Sequence, residues 1–239
     1  MLASFHLVRY GRENAHRGFS RMGLDRPDLA RAPGLAFWKL AGTGQGKTMT
    51  LGADLRRWAL FAVWESPEAL DGFLAGSPVA RHWAEWADEA WSVRLDLLRA
   101  HGTWGGRNPL ELGPGGELER DHDGRVAILT RATIRPSRLV AFYRAIGPPA
   151  GDLLERPGLI DSVGFGEWPL ARQATFSLWD GLEHARAFAY GREDHREVVR
   201  RTRAERWYSE ELFARFRPFG SVGTWDGRDP LAEGGRPVG

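Results

Sequence analysis

The sequence predicts an α+β fold in which one βαββαβ unit occurs twice, and three repeated landmarks predict it. Pro33-Gly34-Leu35 returns as Pro157-Gly158-Leu159. Trp58-Ala59-Leu60-Phe61-Ala62-Val63-Trp64 is echoed by Gln173-Ala174-Thr175-Phe176-Ser177-Leu178-Trp179, and a phenylalanine follows nine residues after each closing tryptophan, at Phe73 and Phe188. Gly102-Thr103-Trp104-Gly105-Gly106-Arg107-Asn108-Pro109-Leu110 matches Gly223-Thr224-Trp225-Asp226-Gly227-Arg228-Asp229-Pro230-Leu231. The landmarks keep their order, so the chain reads as a tandem duplication.

Each copy changes its apolar period in the same sequence. In the first, Ser4–Tyr10 reads as a strand, followed by a less defined helix, a strand at Leu35–Ala41 and a strand at Trp58–Trp64. Helices are expected at Pro67–Leu74 and Val79–Leu98, and Ala100–Trp104 closes the unit as a strand. In the second, the branched run Arg125–Ile134 is a strand, and Pro136-Ser137 opens a helix through about Ile146. Strands near Ile160–Gly166 and at Gln173–Trp179 lead to helical spacing at Leu182, Ala185, Phe188 and Ala189. A longer helix spans Asp194–Phe216, and Phe219–Trp225 is the last strand. Strand-helix-strand-strand-helix-strand is the ferredoxin-like unit. Such a unit covers one sheet face with its helices and leaves the other bare, and two bare faces packed together hide both. The expected architecture is therefore two antiparallel four-stranded sheets in a dimeric α/β-barrel-like sandwich with outer helices, enclosing an apolar hollow. The units divide as 1–111 and 125–231, with a Gly/Pro-rich linker at 112–124 and a flexible tail at 232–239.

Composition narrows the chemistry. Among 239 residues there is no cysteine, which removes disulfides, Fe–S clusters, thiolate-ligated haem and cysteine nucleophiles. Lys+Arg 33 against Asp+Glu 31 leaves a nearly balanced chain, with no hint of a nucleic-acid footprint. The start, Met1-Leu2-Ala3-Ser4-Phe5-His6-Leu7-Val8-Arg9, lacks the marks of a signal peptide, and no apolar run is long enough to span a bilayer, so the expected location is the cytoplasm.

Ala41-Gly42-Thr43-Gly44-Gln45-Gly46-Lys47-Thr48 satisfies the loose phosphate-loop expression. That loop needs a helix beginning at the lysine, whereas Met49–Asp54 has no helical period, so a glycine-rich hairpin bordering a pocket is the competing reading. Seven histidines, His6, His16, His82, His101, His122, His184 and His195, form none of the zinc spacings HxxxH, HxH or HExxH. One histidine suffices for haem iron when it stands beside a cavity. His195 shares a helical stripe with Val198, Val199 and Thr202, while His184 and His82 lie on other predicted helices. The arginines around it, from Arg196 to Arg206, read as a solvated face paired with Glu193, Glu197 and Glu205, or as partners for anionic propionates. GxSxG and GxGxxG are both missing, so hydrolase and Rossmann readings have no support.

Read jointly, several strings resemble the spheroidene monooxygenase family: Arg21–Leu24, Pro33–Leu40, Gly42–Gly46, Trp58–Trp64, Phe165–Leu170, Thr175–Trp179, His195–Arg203 and Trp207–Phe216. The resemblance runs from Ser4 to about Leu231. It implies a haem-dependent monooxygenase that places a keto group at an activated methylene of an acyclic carotenoid, using haem b with O₂ and an electron donor, or a peroxide. It also implies kinship with haem-binding dimeric α/β-barrel enzymes, in which the proximal histidine comes from the C-terminal half. On that basis His195 is the expected iron ligand, ahead of His184 and His82, with Val199 and Arg203 beside the cofactor. Expected partners are a hydrophobic small molecule, an electron donor, at most a peripheral membrane contact, and a second copy of the chain. Two rival functions share these residues: a haem enzyme of the same fold acting on a nitrogenous small molecule by dehydration or N-oxidation, and a cofactor-free barrel that binds a small ligand.

Overall fold

The computed structural model describes residues 1–44, 52–111, 122–142, 144, 157–168, 172–190, 200, 202, 205 and 207–232. Eight strands close into one antiparallel barrel. They are β1 (Leu2–Tyr10), β2 (Leu35–Gly44), β3 (Ala53–Trp64), β4 (Ala87–Gly102), β5 (Val126–Ile134), β6 (Leu159–Trp168), β7 (Arg172–Trp179) and β8 (Tyr208–Gly223). Their order round the barrel is β1-β3-β2-β6-β7-β5-β8-β4. Read in two groups of four, each copy has its fourth strand, first, third and second side by side, the same order twice. The sandwich anticipated from the sequence therefore closes at both seams, β4 on β8 and β2 on β6, and leaves no free sheet edge among these strands.

Both seams pass through equivalent residues of the two copies. Gly42 pairs with Gly166 in the β2–β6 ladder. Asp96 pairs with Arg217 in the β4–β8 ladder, and their side chains form an ion pair with N···O 2.6 Å. A two-fold axis through such a pair would place identical residues opposite one another in a homodimer of single units. Here duplication inside one chain has allowed the pair to become complementary in charge.

Among the described residues most helices belong to the first copy. α1 (Ala15–Leu24), α2 (Arg26–Arg31), α3 (Pro67–Gly76) and α4 (Pro78–Trp86) all belong to the first copy. α3 and α4 each begin with proline behind a serine cap: Ser66 Oγ accepts from the Ala69 N–H at 3.3 Å and Ser77 Oγ from the Ala80 N–H at 3.0 Å. In the second copy the described elements are a 3-10 turn at Pro136–Arg138 leading into helical backbone at 139–142, and α5 (Leu182–Tyr190).

Three expectations are corrected. The helix expected over Val79–Leu98 ends at Trp86, because Glu89, Trp91, Val93 and Leu95 alternate and β4 runs for 16 residues. The helix expected over Asp194–Phe216 is, from Tyr208 onward, the 16-residue β8, whose Leu212, Ala214 and Phe216 are fully buried at every second position. Both segments are rich in Ala, Glu, Leu and Arg, which favour helix locally, but closing a barrel across two units requires two long strands and tertiary pairing overrides propensity. Consequently the terminal strands expected at Ala100–Trp104 and Phe219–Trp225 are only the ends of β4 and β8.

The third correction concerns the interior, which is filled. Phe5 stacks on Phe176 with ring centroids 4.1 Å apart, Trp104 stacks on Phe61 at 5.8 Å, and Trp225 meets Trp91 at 5.3 Å. Trp104 and Trp225, equivalent in the repeat, plug the barrel from loops that cross to the opposite copy. The Thr103 N–H donates to the Glu211 carbonyl and the Thr224 N–H to that of Ala90, while Glu210 and Glu89 each accept from the loop glycine N–H of Gly106 and Gly227 at 2.7 Å. Gly102 and Gly223 turn these corners at φ +93° and +86°, and a Cβ on either would collide with those same carbonyl oxygens.

Candidate functional site on the outer face of the second sheet

With the barrel closed to ligands, the outer faces of the two sheets become the places to compare, and they are related residue by residue. Across the first copy runs a row of paired outward residues, Leu40, Leu60, His6, Ser92 and Val222. The equivalent row in the second copy is Gly164, Thr175, Thr130, Phe213 and His101. One row further along, Trp38 and Ala62 of the first copy correspond to Ser162 and Ser177 of the second. Leucine has become glycine or threonine, tryptophan serine, and histidine threonine. At the other two places the exchange runs the opposite way, with Phe213 standing for Ser92 and His101 for Val222.

The first face is sealed. His6 is fully buried between Trp83 and Phe73, with ring centroids at 5.3 and 6.4 Å. Trp64 Nε1–H donates to Ser4 Oγ at 2.8 Å, and the Ser4 and Ser92 hydroxyls hydrogen-bond His6 Nε2 and Nδ1, each at 2.8 Å. With a hydroxyl at each ring nitrogen, the neutral imidazole is satisfied as donor on one side and acceptor on the other. Burial first, and the Arg94 charge second, push the imidazole down to about 3. Beside it a cavity of about 10 Å³, room for about one water, remains near Tyr10, Asp25 and Trp58. Burial raises the carboxyl of Asp25, with Arg21 and His82 acting against that rise.

The second face is buried at Ser162, Gly164 and Ser177 and exposed at its centre. Thr130, in the middle of the central strand β5, is exposed, where its counterpart His6 has no exposure at all. Ser162 is 1% exposed and its outward Oγ has no hydrogen-bond partner, an orphaned donor of the kind a ligand's oxygen would satisfy. His101 stacks on Phe213 at 5.3 Å and forms the far wall of the row, reaching over from the first copy along β4. Sequence reasoning missed His101, Phe213, Thr130 and Ser162 as a group, because none stands in a motif. Only strand register shows that they replace Val222, Ser92, His6 and Trp38.

A second polar cluster sits inside the barrel mouth beneath Trp104. Arg131, 3% exposed, is paired with Glu210, and Lys39 Nζ lies 3.0 Å from Glu167, which also accepts from Trp104 Nε1 at 3.1 Å. Burial acts to raise Glu210, but the Gly106 N–H and Arg131 outweigh it and hold the carboxyl down to about 2. These groups satisfy one another and pin the crossing loop.

The residues singled out from the sequence fare differently. His195, Val199 and Arg203 lie outside the described residues. His82 belongs to the sealed layer, stacked on Trp86 at 4.7 Å with Nδ1 3.4 Å from Asp25. His184 is held against the Gly158 turn, where a Cβ would collide with its ring, and its Nδ1 lies 3.4 Å from Glu183. Ala41–Gly44 of the phosphate-loop expression is strand β2, the following strand begins at Ala53, and Gln45–Thr48 lie outside the described residues. Among the described residues no three His, Asp or Glu side chains form a metal cluster, and no helix is long and apolar enough to cross a membrane.

A ferredoxin-like unit occurring twice and closed into a single eight-stranded barrel, packed inside, is the class of scaffold on which this site is built. A solved aldoxime dehydratase superposes on 93% of this chain and 83% of its own with a TM-score of 0.62 at 12% identity, a likeness of fold. No family model matches the sequence. Curated relatives do: the spheroidene monooxygenase of Rhodobacter capsulatus is 37% identical over 232 residues, 97% of this chain and 95% of its own length. That of Rubrivivax gelatinosus is 34% identical over 211 residues, 88% of this chain and 79% of its own. The chain belongs to the spheroidene monooxygenase family.

Proposed function

We propose that the chain is a monooxygenase that oxidises an activated C–H bond of a long apolar substrate, such as an acyclic carotenoid, to a ketone on the outer face of the second sheet. The observation that carries this reading is the replacement of Leu40, Leu60, His6 and Trp38 by Gly164, Thr175, Thr130 and Ser162 on an otherwise equivalent surface. Selection for stability alone would keep such a face filled, since each buried large apolar side chain contributes roughly 1.5–3 kcal/mol. Small residues at these positions on one copy only are what a face that accepts a ligand requires.

The family resemblance brings haem b to that face, where it would supply iron able to activate O₂ with an electron donor, or a peroxide. The small side chains of Gly164, Thr175 and Ser177 would admit a flat ring system that Leu40 and Leu60 of the equivalent face would exclude. His195 is the residue proposed to hold its iron. Val199 and Arg203 follow at four-residue spacings in the sequence, and would offer the group an apolar contact and a planar fork for a propionate. Ser162 donates a hydrogen bond to a ligand oxygen, and Phe213 with His101 closes the side. The substrate's insolubility calls for peripheral contact with the cytoplasmic face of a membrane, and a second copy of the chain is an expected partner.

An absorption spectrum of freshly purified protein tests the cofactor: a Soret band is expected, and His195→Ala should abolish it. A band unchanged in the variant removes the ligand assignment, and no band in the native protein leaves the cofactor-free reading, an oxygenase or ligand-binding barrel without haem. A second reading within haem chemistry, dehydration or N-oxidation of a nitrogenous small molecule, is favoured by the backbone agreement with an aldoxime dehydratase. Product analysis with an acyclic carotenoid and with an aliphatic aldoxime separates the two.

A further inference from the structure

At the ends of β5, β7 and β8 the side chains of Thr133, Ile134, Arg135, Ser137, Arg172 and Ser209 surround a cleft of about 330 Å³. No carboxylate is among its described lining residues. Glu210, which pairs with Thr133 in the β5–β8 ladder, accepts from Arg131, Thr103 and Gly106 instead. Arg135 and Arg172 are both exposed, and neither makes an ion pair. Thr133 Oγ1 is buried without a hydrogen-bond partner, while the Ser209 hydroxyl donates to the Thr133 carbonyl at 3.3 Å. Two guanidinium groups without counter-charge on one cleft repel each other, so the arrangement is favourable only when an anion is drawn between them. Their planar forks, with the Thr133 and Ser137 hydroxyls, offer more donors than a single carboxylate accepts and suit a tetrahedral group with several charged oxygens.

We propose that this cleft is a binding site for a phosphate group, carried either by a free phosphorylated ligand or by a lipid headgroup. Val140, 66% exposed just beyond the cleft on the segment that leaves it, gives the lipid source an apolar contact next to the charged one. The site is independent of the oxidation chemistry, since none of its side chains belongs to the rows described above.

The test uses the full chain and the double variant Arg135→Gln with Arg172→Gln. Calorimetric titration with inorganic phosphate and flotation with phosphatidylglycerol against phosphatidylcholine vesicles are the two arms. The native protein is expected to bind in at least one arm, more weakly as salt rises, and the variant to bind about tenfold or more weakly. Binding of both probes points to phosphate as such, and binding of vesicles alone to the headgroup. Equal behaviour of native and variant protein in both arms overturns the proposal. Thr133→Val, which removes only the orphaned hydroxyl, keeps the test decisive if the double variant does not fold: it should weaken phosphate or vesicle binding by a few-fold, and no change overturns the site.

Discussion

The first and second outer faces of this barrel descend from one unit and have taken opposite courses. On the first, four helices close over Trp38, Leu40, Leu60 and His6, and a cavity of about 10 Å³ lies beside them. On the second, the same backbone positions carry Ser162, Gly164, Thr175 and Thr130, and the central strand shows an exposed threonine. Duplication within one chain makes this division feasible. A homodimer of identical units must stabilise and bind with the same surface, whereas a fused pair can assign stability to one copy and the ligand to the other.

Exchanging residues between the faces breaks the comparison most sharply. Gly164→Leu with Thr175→Leu gives the second face the side chains of the first; product formation should fall about a hundredfold or more while the melting temperature holds or rises. Undiminished turnover would place the reaction elsewhere. The reverse exchange, Leu60→Thr, buries a hydroxyl and loses packing under the helices, and should destabilise the fold by about 2–3 kcal/mol in denaturant titration, leaving turnover per folded molecule intact.

His6 sharpens the comparison through pH. Its ordinary value is 6.5 and its folded value about 3, so between these the unfolded chain holds a proton that the folded chain refuses. Stability is therefore fully present above about pH 6.5 and is lost as pH falls toward 3, with a slope approaching roughly 1.4 kcal/mol per pH unit from this group. His6→Gln should flatten that part of the stability profile. The smallest effect is expected at the seam: Asp96 and Arg217 are each more than a third exposed, so Asp96→Asn should cost no more than about 1 kcal/mol, and less in high salt.

Much of the architecture was legible in the sequence. The repeat landmarks identified two equivalent units, and β1, β2, β3, β5, β6 and β7 fall where alternation and branched residues predicted them. β4 and β8 were misread because Ala87–Leu98 and Tyr208–Phe216 are built from helix-favouring residues, and what makes them strands is the partner across the seam. The site was less legible still. His101 and Phe213 lie 112 positions apart, and their stacking follows from β4–β8 register alone. Val222 and Ser92, their counterparts, show that nothing local marks the difference.

The sequence by itself determined that the chain is a duplication, that it uses no thiol chemistry and which family it resembles, because these depend on residue identity and order. The tertiary structure decided that the barrel interior is solid, that the two sheets join at both edges, and that equivalent outer positions of the two sheets carry side chains of different size and polarity. Those properties arise from which residues meet across strands, and packing between distant segments is set by register and closure, which no local pattern encodes.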